Sequence, residues 1–161
     1  MTNSRLKYLG YSIVFQEVPN EVSLAINISG CPHRCKGCHS EYLWEYKGGY
    51  IYDDIEILLN KYSSEITCVC FMGGDQNSEE LKNLILFVKH FYKLKVCVYS
   101  GFDYNINDLP QWCYYCDYLK IGSYKSKLGG LNSKTTNQRF YKNKNNVFID
   151  ITNEFQRREL C

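Results

Sequence analysis

No stretch of this 161-residue chain approaches the ~18 consecutive apolar residues that a membrane-spanning helix needs. Met1 to Lys7 precedes no long apolar core, so no secretory signal is expected. Charge of one sign is missing too: 19 Lys and Arg against 17 Asp and Glu leave a formal net charge of +2. Bulk electrostatics therefore argues for neither nucleic acid nor an anionic membrane as partner. No internal repeat and no linker-like segment is present. The length suits one domain with a real core rather than two, so residues 1–161 are read as a single domain. These absences predict a soluble, cytoplasmic protein.

Cysteine, in contrast, is plentiful. Nine cysteines in a secreted chain would suggest a disulfide scaffold, but such scaffolds are usually smaller and poorer in apolar strands, so reduced thiols are expected here. Three of them form a C-x3-C-x2-C loop, Cys31, Cys35 and Cys38, directly after the alternating apolar run Val22 to Ile28. Gly30, Pro32 and Gly37 make this an irregular loop at a strand end rather than a helix. Parallel α/β sheets build their sites at such strand ends. Three thiolates can hold three corners of an iron–sulfur cube, leaving one iron for an outside ligand. The alternative is a zinc knuckle in which His33 or His39 is the fourth ligand, and the loop alone leaves both open.

Along the chain, residues 5 to 18 predict a short strand or hairpin and residues 22 to 29 a strand. Glu41 to Tyr46 predicts a helical turn that stops at Gly48-Gly49. Asp53 to Lys61 reads as a helix with Asp53 as N-cap and Ile55, Leu58, Leu59 and Tyr62 on one face. A buried strand, Ile66 to Phe71, ends at Met72-Gly73-Gly74-Asp75. Asn77 with Glu80 opens a second helix, with Leu81, Leu84, Ile85 and Val88 as its core face. Leu94 to Tyr99 is a strand and Ile106 to Cys116 a weak helical stretch broken by Pro110. Tyr118 to Ile121 is another strand. A polar segment runs from Gly122 to Arg139, Asn143 to Asn146 is a turn, Val147 to Ile151 is the last strand, and the tail to Cys161 is loose. Alternating strands and helices predict an α/β domain with a mostly parallel sheet. At this length the sheet can curve but not close, since a complete eight-stranded barrel takes ~250 residues. An incomplete barrel leaves a lateral mouth wide enough for a macromolecular substrate. The fifteen tyrosines and eight phenylalanines scatter along the chain, which points to packing rather than base stacking.

The cysteine loop resembles that of the radical S-adenosylmethionine (AdoMet) enzymes. Gly73-Gly74-Asp75 stands where that superfamily carries a GGE-like motif, with Asp one methylene shorter than the usual Glu. Gly37 replaces the aromatic residue that many members place before the third cysteine, as the small activating enzymes tend to do. Tyr42 or Trp44 could cover the nucleoside instead, but packing in the core is the expectation for both. Within the superfamily, Val98-Tyr99-Ser100-Gly101, Tyr118-Leu119-Lys120-Ile121-Gly122, Leu128 to Ser133 and Thr135-Thr136-Asn137-Gln138-Arg139 resemble the anaerobic ribonucleoside-triphosphate reductase activating proteins.

That resemblance implies an incomplete, open radical-AdoMet-type (βα) barrel. It implies a 4Fe–4S cluster on Cys31, Cys35 and Cys38, and AdoMet contacts at Gly73, Gly74, Asp75, His39 and Ser100. No catalytic residue is expected beyond the cluster ligands. The implied activity is reductive AdoMet cleavage that installs a glycyl radical on the large subunit of class III ribonucleotide reductase. A flavodoxin- or ferredoxin-like protein would be the electron donor. An activase of another glycyl-radical enzyme, such as pyruvate formate-lyase, is the second reading and a zinc-binding interaction module the third. His33, Arg34, Lys36 and His39 crowd the loop with positive charge, which would offset cluster charge and help an acidic donor dock. Cys113-x-x-Cys116 could be a redox or metal pair, but has no supporting motif beside it. Cys68, Cys70 and Cys97 read as core fillers. The chemistry of Thr135 to Arg139 does not follow from its residues.

Overall fold

Runs of β-branched, aromatic and cysteine residues become eight strands: Lys7–Val14 (β1), Ser23–Ile28 (β2), Gly49–Tyr50 (β3), Cys68–Met72 (β4), Lys95–Tyr99 (β5), Tyr118–Ile121 (β6), Arg139–Lys144 (β7) and Val147–Asp150 (β8). The computed structural model describes residues 4–156 and joins these strands in one sheet, in the order β3-β1-β2-β4-β5-β6-β7-β8. The central four, β2, β4, β5 and β6, are parallel to one another and buried along most of their length. Both of their faces must therefore be covered, which is why they read as nearly continuous apolar runs.

One face is covered by helices. Ile51–Tyr62 (α1) buries Ile51, Ile55, Leu58 and Leu59, and Ser78–Phe87 (α2) buries Leu81, Leu84 and Ile85. They form one core with Leu24, Ile26, Val69, Phe71, Val96, Val98 and Leu119 from the strands. Each such side chain contributes roughly 1.5–3 kcal/mol on burial, so these two apolar stripes hold the helices to the sheet. The alternate strand residues point the other way. Cys68, Cys70, Cys97 and Tyr118 form a second cluster with Val18 and Phe140. At the C-terminal end of that face the register sets Met72 beside Tyr99 and Tyr99 beside Lys120.

The expectation of a mostly parallel sheet is corrected here. β1 pairs antiparallel with β2 and β3, and β7 pairs antiparallel with β6 and β8, so the sheet is mixed. Two strands are missing from the sequence reading: the two-residue β3, which pairs with β1 where Gly48-Gly49 reads as a stop, and β7. The residues of β7 are mostly polar, but Asn145 and Asn146 both take positive φ (51° and 67°), the geometry of a two-residue hairpin turn. Such a turn needs a strand on each side.

Other boundaries moved for local reasons. α1 starts at Ile51, with Tyr50 at the cap position, and Asp53 pairs with Arg5 at 2.6 Å instead of capping. Asn77 does cap α2, its side chain accepting from the Glu80 N–H at 3.2 Å. Pro110 confines the expected helical stretch to a 3₁₀ turn at Gln111–Tyr115. Within the tail, Asn153–Gln156 makes one helical turn (α3) whose Phe155 ring lies 4.9 Å from Phe140, while Cys161 lies outside the described residues. No helix among the described residues is long and apolar enough to cross a membrane.

Candidate functional site

The loop that leaves β2 is tied at its start and free at its tip. The Gly30 and Cys31 N–H groups donate to Glu45 O and Leu43 O, so the 3₁₀ turn Glu41–Leu43 folds back against it. Gln76 strengthens the tie: its amide donates to Ser29 O at 3.1 Å, and its side-chain oxygen accepts from Gly74 N–H at 3.1 Å. Cys31, Cys35 and Cys38 are half-buried, free thiols, and all three line one cavity of about 170 Å³ with Met72, Tyr99 and Lys120. Burial pushes the Cys31 thiol pKa up, backbone N–H groups of His33 and Arg34 oppose this, and the nearby Cys35 and Cys38 add to it. Cys38 Sγ accepts from the Ser40 N–H at 3.3 Å.

Beside the thiols lies the turn after β4. Gly73 and Gly74 take φ of 103° and 114°, a region side chains rarely enter, and Gly73 lines the cavity. Asp75 turns inward. Its carboxylate accepts from Ser100 Oγ and, at 2.9 Å, from Tyr104 OH. Burial raises its pKa above the usual carboxylate value, and these two donors pull it back. Asp75 and Ser100, both expected to face the cofactor, are thus bonded to each other and clamp the ends of β4 and β5. His39 is exposed, its ring 6.0 Å from Tyr124. The site brings Gly73, Asp75 and Ser100 to the cavity wall, whereas His39 and Gly74 do not line it.

The residue most clearly missed was Lys120. It is buried in a four-residue strand with no other polar member except Tyr118, and its ammonium donates to Ser100 O at 3.0 Å and Gly122 O at 2.7 Å. One of its three N–H groups remains. Burial pushes its pKa down to about 8, opposed by Cys35, Asp75, Asp103 and Cys31. A lone cation inside an apolar strand was the readable signal.

The structure also explains Thr135 to Arg139. Thr135 Oγ1 donates to Leu128 O at 2.7 Å, Thr136 Oγ1 to Gly129 O at 3.1 Å, Asn137 Nδ2 to Ser123 O at 2.9 Å and Gln138 Nε2 to Gly122 O at 3.3 Å. The element staples the 122–129 loop, which carries Tyr124 to the cavity wall. Cys113 and Cys116 are buried in the core, and burial raises both thiols, Cys113 to about 12. Neither is placed to be a nucleophile or a surface redox group. Cys68, Cys70 and Cys97 are buried on the second face.

Tyr42 and Trp44 do not join the core: Tyr42 is 51% exposed, and Trp44 lines the cavity. The buried turn residue is Leu43 between them. The Trp44 indole Nε1 is buried with no hydrogen-bond partner in the protein. A buried donor without an acceptor is costly, and Trp44 carries that cost next to the cavity.

Does this donor set suit a cluster? Among the described residues no three His, Cys, Asp or Glu side chains gather closely enough to hold one metal ion. A zinc ion needs its ligands within roughly 2.0–2.3 Å of one point. Cluster ligands bind separate irons and need not converge. Three thiols around a cavity, an N–H on Cys38 Sγ and a nearby ammonium suit an anionic iron–sulfur group. Of the two histidines on the loop, His33 lines the cavity, packed edge-on to Phe102 at 4.4 Å with its pKa lowered by burial, and His39 does not line it.

The comparisons with known proteins agree with this chemistry. A family model described as "4Fe-4S single cluster domain" matches residues 21–147. The anaerobic ribonucleoside-triphosphate reductase-activating protein of Haemophilus influenzae is 43% identical over 28 residues, 17% of this chain and 18% of that protein. The matched stretch therefore spans less than a fifth of that relative's length. No solved structure matches the chain. The family model runs from just before β2 to the start of β8 and takes in the whole thiol-lined cavity, and on that match the chain belongs to the 4Fe-4S single cluster domain family.

Proposed function

We propose that this chain is a radical-AdoMet activase that cleaves S-adenosylmethionine reductively and generates the glycyl radical of an anaerobic ribonucleotide reductase. One observation carries the reading: a three-thiol loop, a Gly-Gly-Asp turn and a buried ammonium meet at one cavity, at the C-terminal ends of adjacent parallel strands. The name of the Haemophilus influenzae relative supports the choice of reductase. Cys31, Cys35 and Cys38 would hold the cluster, which when bound supplies the electron that breaks a sulfur–carbon bond of AdoMet.

The chain's own residues hold, orient and shield. The Asp75–Ser100–Tyr104 bonds fix the strand ends, so the bare Gly73 backbone stays at the cavity wall. Lys120 sets a positive charge beside the thiolates, and its third N–H is free for an anionic group such as a carboxylate. Tyr124, held by the stapled loop, and Trp44 close the sides of the cavity. We read the sheet, unclosed between β3 and β8, as an incomplete barrel whose open side receives the protein substrate. No side-chain acid or base is needed.

Anaerobic reconstitution with iron and sulfide, followed by EPR of the reduced protein with and without AdoMet, tests this. The expected result is a 4Fe–4S signal that changes on adding AdoMet, then 5′-deoxyadenosine and a glycyl radical on the reductase. Zinc binding without a cluster would overturn the reading. Radical transfer to pyruvate formate-lyase, and none to the reductase, would reassign the partner.

A further inference from the structure

The net charge of +2 hides a strong segregation. From Tyr118 to Ile149 the sequence has seven cations, Lys120, Lys125, Lys127, Lys134, Arg139, Lys142 and Lys144, and no Asp or Glu. Acids gather instead on the helices, at Asp53, Asp54 and Glu56 of α1 and Glu79 and Glu80 of α2. The fold brings part of the basic segment against the cysteine loop. A β-carbon added at Gly37, between Cys35 and Cys38, would lie 3.4 Å from Ser126 Cβ. There Lys36, Lys125 and Lys127 surround a groove of about 460 Å³ with Tyr124, Ser126 and Leu128. All three lysines are exposed, and none is ion-paired with a described residue. Tyr124 lines this groove and the thiol cavity alike.

We propose that the groove rimmed by Lys36, Lys125 and Lys127 is the docking surface for an acidic one-electron carrier protein, which rests on the activase reading. Charge complementarity sets the sign of the partner: unpaired ammonium groups around an apolar floor favour a carrier with carboxylates around its redox centre. The position distinguishes the carrier from the protein substrate. A substrate residue must enter the cavity, whereas the groove is a separate depression that shares only Tyr124 with the cavity lining. An electron needs only a short path, and this groove lies against the loop segment that separates two of the three thiols. The carrier would give up one electron, a flavodoxin hydroquinone becoming the semiquinone, to the cluster that Cys31, Cys35 and Cys38 would hold. No proton need cross the protein.

The test is a charge reversal, Lys125→Glu with Lys127→Glu, using a reduced flavodoxin of acidic surface as probe. The control is Lys61→Glu with Lys82→Glu, which changes net charge equally but on the helices. Flavodoxin affinity, measured by calorimetry, should fall by roughly tenfold or more in the first variant and by about twofold or less in the control. Stopped-flow oxidation of the hydroquinone should slow in parallel, and raising salt should weaken binding to the unmodified protein. AdoMet cleavage driven by dithionite, which needs no docking, should be unchanged. Equal affinity in both variants would overturn the proposal, as would loss of reductase binding with flavodoxin binding intact. If dithionite drives no AdoMet cleavage in the unmodified protein, the activase reading fails, and the affinity comparison still decides whether this surface binds the carrier.

Discussion

Gly101→Ala puts the packing of the cysteine loop to a quantitative test. A β-carbon at position 101 would lie 2.6 Å from His33 Cδ2 and 2.9 Å from His33 Cγ, well inside contact distance. The His33 ring is not free to yield, since it is partly buried and lies edge-on to Phe102 at 4.4 Å. Overpacking of this kind costs about 1–3 kcal/mol. Gly101 does not have positive φ, so alanine suffers no backbone strain there, and the clash alone sets the cost. His33→Ala should lose about 0.5–1.5 kcal/mol of ring contact. In the His33→Ala background the second substitution should cost nothing, and could gain about 0.4–1 kcal/mol by stiffening the unfolded chain. The cycle therefore predicts a coupling of at least ~1 kcal/mol, favourable to the double variant. Urea unfolding of the cluster-free protein measures it. Because His33 lies between Cys31 and Cys35, Gly101→Ala should also lower the iron bound on reconstitution, and the double variant should recover it. An equal penalty for Gly101→Ala with and without the His33 ring would refute the argument.

Cys35→Ser should abolish cluster assembly and AdoMet cleavage, whereas Cys116→Ala, in the core, should lose roughly 0.5–3 kcal/mol of stability and keep its iron stoichiometry. Thr136→Val removes a hydroxyl that donates to Gly129 O and accepts from Gln138 N–H, and should cost about 1–3 kcal/mol with faster proteolysis in the 122–129 loop. Trp44→Phe keeps an aromatic wall but removes the partnerless indole N–H. The cluster-free protein should be as stable as before or slightly more so, while the EPR signal of the reconstituted protein should shift. Lys120 gives a pH signature: its folded pKa of about 8 lies below the ordinary lysine value of 10.5, so across that window the unfolded chain holds a proton the folded chain has released, and stability rises with pH. The contribution is lost as pH falls through about 8, is at most roughly 3 kcal/mol, and is read as the difference between the unmodified protein and Lys120→Met.

The parts legible in the sequence were those whose signal is local. Apolar runs gave β2, β4, β5 and β6, spacing gave the faces of α1 and α2, and Asn77 with Glu80 gave a cap that the structure reproduces. The three cysteines announced their loop. What stayed hidden depends on partners far along the chain. β7 has little apolar alternation of its own and is a strand because β6 and β8 flank it. Asp75 reads as a ligand-facing acid and does line the cavity, but the hydrogen bonds that hold its carboxylate come from Ser100 and Tyr104, 25 and 29 residues further on. Thr135 to Gln138 had no readable chemistry because their acceptors are carbonyls 7 to 16 residues away.

Those long-range contacts also explain why the site can be both precise and open. Three pieces of chain meet at the C-terminal ends of the parallel strands, and each is held by hydrogen bonds in or behind the cavity wall. Gln76 anchors the cysteine loop to the glycine turn, Asp75 joins that turn to the end of β5, and the 135–138 staple fixes the loop that carries Tyr124. Lys120 bonds to carbonyls after β5 and β6 and so belongs to both the frame and the cavity. Because the wall residues bond to one another, the thiols, the Gly73 backbone and one ammonium N–H are left unspent at the cavity. Ligand ordering then costs the protein little at the moment of binding, which is where preorganisation helps most. The frame should therefore tolerate substitution poorly at Gln76, Thr136 and Asn137, although none of these need touch the reacting atoms.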